Sequence, residues 1–459
     1  MERSNIKNIQ NVYNLCYNEF TETEDSYMTN PKVFLLSMEI GGIKNLEKPV
    51  KVNFYKETID NDFDPSKYRI KGIYGENGVG KSALMSGVSF YKELLINSRF
   101  LSLAINDKKL KYLLNKKSNK ATFTFEFLLK IDKVIRIYKH SIELVKNEND
   151  ILELTKEEAM FRTINSAYYT IYTVKNGILE FTEKSESNNK IIEFTKNTLK
   201  ERTLISSLVT IDNSKENNII SGHLSNLYNF GVYLYVYINN NDKHNDYVVR
   251  EYLKNSKDNV KNVLRSVALN YITCGERAII QENELKNYRK YILELTKFIK
   301  IYKPNLKEII IDEKPDNDGV SCGLIFSYDG YLIDGEFEST GVKKLVELFV
   351  AFESVSHGEI VFIDELDANI HDYYLCRLLE YVAEYTDGQL CFTSHNLGPM
   401  EVLKDYKKSI DFLSRDGEIF PWIKNGNYNV ANQYKEGKIK NFPFNIDSFD
   451  YIKVFGDGE

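Results

Sequence analysis

The sequence is poor in proline, cysteine and tryptophan, and none of its apolar runs is long. Only 8 prolines occur in 459 residues, and none lies between Pro65 and Pro304. Proline interrupts helices and central strands, so that interval is expected to hold long regular elements. The five cysteines (Cys16, Cys274, Cys322, Cys376, Cys391) are scattered without a CxxC. That spacing argues against a disulfide framework or a zinc knuckle and points to a reducing cytoplasm. No stretch approaches the roughly 20 apolar residues that span a bilayer. Met1 to Asn30 is polar and acidic, without the apolar core of a signal peptide. An excess of one charge is missing too: 60 Lys+Arg against 66 Asp+Glu leave −6. Such a surface is not built as a whole to coat nucleic acid, although a local basic patch stays open. Helical apolar spacing is sustained for only about two heptads, too few for a coiled coil. No repeat of fixed period occurs.

What is present is an ordinary globular composition, 42% apolar and 27% charged. The length allows two or three units, or one domain carrying an insertion. Residues 33–55 alternate apolar and polar and read as two strands turning at Gly41-Gly42. Tyr68 to Tyr74 is a short strand, and Ser82 to Leu95 has helical spacing, with Leu84, Val88, Tyr91 and Leu95 on one face. Ala121 to Val145 predicts an antiparallel meander, extended by Tyr168 to Phe181. From Asn188 to Lys303 the pattern is mostly helical, interrupted by a polar tract from Asn239 to Asp246. The last third alternates strand and helix: continuous apolar runs such as Ile360-Val361-Phe362-Ile363 fit strands covered on both faces.

Gly75-Glu76-Asn77-Gly78-Val79-Gly80-Lys81-Ser82 matches GxxxxGK[ST] at every fixed position, between an apolar strand and an amphipathic helix. Glycines let the backbone wrap phosphates, which also meet the positive end of the helix. In this pattern Gly75, Asn77, Gly78 and Gly80 form the cradle, Lys81 reaches the β- and γ-phosphates, and the Ser82 hydroxyl ligates Mg²⁺. Ile360 to Glu365 is four apolar residues ending in two carboxylates, the Walker B arrangement. Asp364 would face the magnesium shell, and Glu365 is the candidate general base for the attacking water.

Gln389 to Asn396 is another apolar strand, and it ends in His395, 31 residues after Asp364. A lone His at a strand end ordinarily plays a structural part; one β-α-β step after Walker B it fits a γ-phosphate sensor. Glu338-Ser339-Thr340-Gly341-Val342 precedes a helix, with Ser339 25 residues before Asp364. An isolated Ser-Thr-Gly would read as a plain N-cap, but its hydroxyl and N–H donors also suit a phosphate.

The order P-loop, Ser-x-Gly helix start, acidic strand, His resembles the ATP-binding-cassette ATPase head. The resemblance implies that the signature, here Ser339 and Gly341, closes on ATP held by a second subunit, and that Asp367 is the D-loop acid. Thr340 and Val342 depart from the usual signature. More narrowly, Asp364-Glu365-Leu366-Asp367-Ala368-Asn369-Ile370-His371 resembles the DE-x-D-x-x-L-H segment of bacterial AAA-family ATPases related to the overcoming-lysogenization-defect and abortive-infection proteins. Glu338 to Gly341 and Thr393 to Asn396 resemble the ES-x-G and T-[ST]-H-[NS] motifs of those ATPases. Ile370 stands for the Leu, and Asp372 for the Pro that often follows the His. The resemblance covers about residues 33–145 and 305–422.

Lys108, Lys109, Lys111, Lys116, Lys117 and Lys120 form a basic cluster that reads as a solvated face or as a contact for nucleic-acid phosphates. Lys343 and Lys344 beside the signature carry the same ambiguity, and the six histidines show no ligand spacing. Relatives with a C-terminal Toprim nuclease need more than the 64 residues that follow His395. Arg136-x-x-x-His140 is one residue too tight for an R-x(4–6)-H ribonuclease motif. An effector of its own is therefore not expected.

The expected fold is α/β: an ABC-ATPase head, P-loop mixed sheet plus antiparallel β subdomain, with a largely helical insertion. Its expected parts are an N-terminal extension (1–32), a first half of the head (33–187), the insertion (188–303) and a second half with the tail (304–459). The expected function is ATP binding and hydrolysis with Mg²⁺ by a cytoplasmic homodimer or larger homo-oligomer. The resemblance implies a sensor in anti-phage defence that controls a separately encoded effector. The alternative is a DNA repair or recombination ATPase that clamps DNA beside paired heads.

Overall fold

The computed structural model describes residues 32–55, 58–60, 63–102, 112–131, 134–149, 151–208, 222–238, 269, 271–275, 277–423, 430–436 and 438–439. The expected N-terminal extension up to residue 31, the 239–246 tract, Lys108, Lys109, Lys111 and the chain after 439 lie outside them.

Three sheets organise the chain. The first has seven strands, all antiparallel, in the order β2-β1-β4-β5-β6-β7-β8. These are β1 (Lys32–Gly41), β2 (Val50–Asn53), β4 (Lys120–Ile131), β5 (Val134–Lys146), β6 (Leu152–Thr163), β7 (Tyr169–Lys175) and β8 (Ile178–Phe181). The second has six strands, β17-β16-β3-β15-β14-β9. Here β3 (Ile70–Tyr74), β9 (Leu234–Tyr237), β14 (Ile360–Ile363), β15 (Gln389–Thr393) and β16 (Ile410–Leu413) run parallel, and β17 (Ile419–Pro421) closes the edge antiparallel. The third joins β10 (Ala278–Ile280), β11 (Leu306–Asp316), β12 (Gly319–Tyr328) and β13 (Tyr331–Asp334).

The parallel strands are covered on both faces, which is why they read as unbroken apolar runs. Ile360 and Phe362 join one core, shared with the antiparallel sheet; Val361 and Ile363 join the opposite one. Helix α1 (Lys81–Ile96) follows the P-loop into the first of these cores. Every residue of it except Ser82 is buried, more than its amphipathic spacing predicts. The reason is packing on several sides: alternate residues of β4 point inward and stack their rings on it. Tyr91 lies 3.9 Å from Phe125 and Phe90 5.3 Å from Phe123, centroid to centroid.

Three further helices, α2 (Glu186–Thr195), α3 (Leu204–Ser207) and α4 (Gly222–Tyr233), belong to the residues expected to form an insertion. Ile191, Leu204, Leu224, Leu227 and Leu234 share one core with α1, and β9 adds an edge strand to the parallel sheet beside β14. Phe230 of α4 stacks on Phe127 at 4.0 Å. Up to β9, the described part of this segment is built into the core that holds α1. Later in the same segment β10 joins the third sheet, and α5 (Leu285–Tyr302) packs against that sheet together with α6 (Thr340–Ser356), the helix that Ser339 caps. On the far face of the parallel sheet lie α7 (Asp372–Tyr385), α8 (Gly398–Leu403) and α9 (Val430–Lys435).

A buried polar network ties α1 to the antiparallel sheet. The Tyr91 hydroxyl meets His140 Nδ1 at 2.9 Å, His140 Nε2 meets Glu157 at 3.2 Å, and Tyr172 donates to Glu157 at 2.8 Å. The second Glu157 oxygen accepts from Leu204 N at 2.7 Å. Removing the carboxylate strands several buried donors at once. Glu157→Ala should therefore cost about 3 kcal/mol and lower the urea midpoint; an unchanged midpoint would contradict this role.

Candidate nucleotide-binding site

Strand order brings the motifs together. Because β3, β15 and β14 are neighbours and parallel, the P-loop after Tyr74, Asp364-Glu365 after Ile363, and Ser394-His395 after Thr393 all leave the sheet at one edge. Carboxyl edges of this kind are where open α/β sheets bind ligands.

In the P-loop, Gly78 (φ +80°) and Gly80 (φ +116°) adopt left-handed backbone, which suits glycine. A side chain at Gly80 would also come within 2.5 Å of Leu46 Cδ2. The neighbouring turn braces the loop further: Asn45 Nδ2 donates to the Gly78 carbonyl and Lys44 Nζ to Ser86 Oγ at 2.7 Å. Lys81 is buried, its Nζ donating to the carbonyls of Gly75 at 2.7 Å and Glu76 at 2.9 Å. Burial pushes its ammonium down to about 8, while Asp364, Glu365, Asp367 and Glu76 pull the other way. It remains mainly protonated at neutral pH.

Across the edge, Asp364 is only 4% exposed. Thr393, at the end of β15, holds the acidic turn with a single hydroxyl. Its Oγ1 donates to Asp364 Oδ1 at 2.6 Å and accepts from Glu365 N at 2.8 Å; the Thr393 carbonyl accepts from Leu366 N at 3.0 Å. Those bonds hold Glu365 at φ +50°. A left-handed non-glycine residue of this kind costs on the order of 1 kcal/mol and persists where its surroundings over-determine it.

Asp367 Oδ2 accepts from His395 N at 3.4 Å, and its Oδ1 is buried with no hydrogen-bond partner among the described residues. The His395 imidazole is held below its ordinary range by desolvation first and Lys81 second, with Asp367, Glu365 and Asp364 opposing. It is thus mainly neutral at pH 7.

Ser339 caps α6, its Oγ accepting from Val342 N at 3.3 Å, and its own N–H donates to Glu338 at 3.0 Å. Ser339 and Thr340 are exposed at the surface, and a side chain at Gly341 would face the Asn369 carbonyl at 3.7 Å. The P-loop, the acidic turn, Asp367 and His395 therefore assemble within one chain, whereas the hydrogen bonds of Ser339 stay local.

No sequence pattern marks Lys44 or Asn45, and none shows what the Thr393 hydroxyl holds. Thr393 sits inside the motif that ends in His395, yet its bonds reach a neighbouring strand, and no local pattern encodes them. Asn45 lies 33 positions before Gly78.

Hard oxygen donors suit Mg²⁺, which binds one or two carboxylates plus substrate phosphates. The Asp364 carboxylate, the Ser82 hydroxyl and the unpaired oxygen of Asp367 fit that pattern. Among the described residues no group of three or more His, Cys, Asp or Glu side chains is placed to hold a metal, and no helix is long and apolar enough to cross a membrane.

Residues 70–400, which run from the start of β3 past His395, match the family described as "AAA domain, putative AbiEii toxin, Type IV TA system". That is 331 of the 459 residues. The chain belongs to this family. No curated protein matches it. Solved structures with a similar layout include an SMC head bound to the C-terminal winged-helix domain of ScpA, at 14% identity and TM-score 0.39 over 85% of this chain and 97% of that one. An SMC head with an extended coiled coil, bound to the C-terminal domain of ScpA and derived from Pyrococcus furiosus, gives 12% and 0.40 over 85% and 96%. The recombination mediator RecF with ATP gives 12% and 0.35 over 86% and 100%. Overlap this loose carries no functional inference.

Proposed function

We propose that this AAA-family chain binds and hydrolyses ATP with Mg²⁺ as a homodimer or larger homo-oligomer, and serves as the regulatory ATPase of an anti-phage system with a separately encoded effector. The observation that carries the ATPase reading is the shared edge of β3, β15 and β14, where Lys81 lies within electrostatic reach of Asp364 and Glu365. Lys81 and the P-loop N–H groups bind the phosphates. Ser82 and Asp364 would hold Mg²⁺, which neutralises charge on the β- and γ-phosphates when bound. Glu365 accepts the proton of the attacking water, and Thr393 keeps it aimed. His395 offers a neutral imidazole N–H to the γ-phosphate. Exposed Ser339 and the helix N-terminus it caps are free to complete the site of a second copy.

The family's description as an AbiEii-type toxin domain supports the defence reading. The test pairs hydrolysis with protection. The purified chain should hydrolyse ATP with Mg²⁺ but not with EDTA, and it should restrict phage only when expressed with its neighbouring gene. Full protection by the chain alone would overturn the two-component arrangement. Hydrolysis stimulated by DNA in a salt-sensitive way would favour the repair reading instead.

A further inference from the structure

Two adjacent lysines follow the signature on α6, and their settings differ. Lys343 Nζ donates to the Glu336 carbonyl at 2.6 Å in an exposed setting. Lys344 is 4% exposed and points inward, and its Nζ has no hydrogen-bond partner among the described residues. Lysines on helix flanks ordinarily extend their heads to water, and an ammonium buried without a hydrogen bond is costly.

What Lys344 faces is Tyr237. Its Nζ lies 4.3 Å from the centroid of that ring, a cation–π geometry. Tyr237 ends β9 opposite Ile363, and its carbonyl accepts from Asp364 N at 2.9 Å. Its hydroxyl donates to Glu347, one turn beyond Lys344 on the same helix. The signature helix therefore grips Tyr237 at both face and tip, while the Walker B strand grips its backbone. Burial lowers the affinity of the Lys344 amine for its proton. Glu347, Glu365, Asp364 and Asp367 oppose that effect, so the ammonium lies within reach of the acidic turn.

We infer that Lys344 is a positioning residue for hydrolysis: seated on Tyr237, it fixes the signature helix against the Asp364–Glu365 turn, so that contact made at Ser339 is passed to the base within the same chain. The inference rests on the proposed role of Glu365. In this role Lys344 acts through Tyr237 and the backbone of Asp364.

The experiment compares full-length wild type with Lys344→Met, which keeps the length and removes the charge. Lys344→Met should bind ATP within about threefold of wild type and lose about tenfold in kcat. Its Tm should not fall, because apolar replacement of a buried charge is often neutral or stabilising. Lys344→Arg should regain part of the loss. Tyr237→Leu should lower kcat similarly, and adding it to Lys344→Met should cost little more, since coupled residues do not add. Wild-type kcat in Lys344→Met would overturn the inference, as would a loss of kcat that tracks a lower Tm or weaker ATP binding. Should Lys344→Met fail to fold, Tyr237→Leu decides alike: a tenfold loss supports the inference, and wild-type turnover overturns it. A wild-type chain that hydrolyses no ATP is a failure of the ATPase reading; an active wild type with an equally active Lys344→Met is a failure of this inference alone.

Discussion

Glu365→Gln should bind ATP with near wild-type affinity and lose about 10²–10⁴-fold in turnover, the range a positioned general base contributes. The substitution is clean because Thr393 holds residue 365 through its backbone N–H and not through its carboxylate. Glutamine therefore inherits the same left-handed turn, at the same modest cost, and keeps the side-chain length. Only proton acceptance is lost. Bound ATP should then persist, and the closed assembly should accumulate. Single-turnover kinetics and the mass of the ATP-bound species read both effects. Turnover at the wild-type rate would remove Glu365 from the role of base.

Lys81→Ala should act one step earlier. Its ammonium is held inside the P-loop by the Gly75 and Glu76 carbonyls, already partly desolvated and close to where phosphates would lie. Charge-assisted bonds are worth about 1.5–3 kcal/mol each, so ATP affinity should fall by about 10–100-fold. The loop itself should survive, since its shape depends on Gly78, Gly80 and the brace from Asn45. Titration with a fluorescent nucleotide checks this, and affinity within about twofold of wild type would contradict it.

The P-loop was legible because its chemistry is contiguous: glycines supply the left-handed backbone, and Lys81 and Ser82 follow in one short run. The acidic strand end was equally local. Elements defined by partners far along the chain were harder to see. Leu234–Tyr237 follows α4 without a break and is too short to show a strand period, so its place beside β14 is a tertiary fact. Strand β6 escaped notice because a register shift opposite Glu143/Leu144 disturbs the pairing, and because one of its inward residues is Glu157. Gln389 looks like an ordinary polar strand start, yet its amide bridges to Leu35 of the other sheet, accepting from Leu35 N at 2.5 Å and donating to Leu35 O at 3.1 Å. Lys344 was visible only as one of two lysines; that it faces inward follows from the packing of α6 on β9.

In the proposed assembly one chain holds an incomplete site, finished by Ser339 of a second copy. Mixing two defective proteins decides whether the site is shared. Lys81→Ala spoils the site a chain carries, and Ser339→Arg spoils the one it completes, so at ATP just sufficient to fill the wild-type site each alone should be nearly inactive. In a mixed dimer one site collects both lesions and the other collects neither. Random pairing should then restore about a quarter of wild-type hydrolysis. A mixture no more active than its separate components would contradict a site shared between chains.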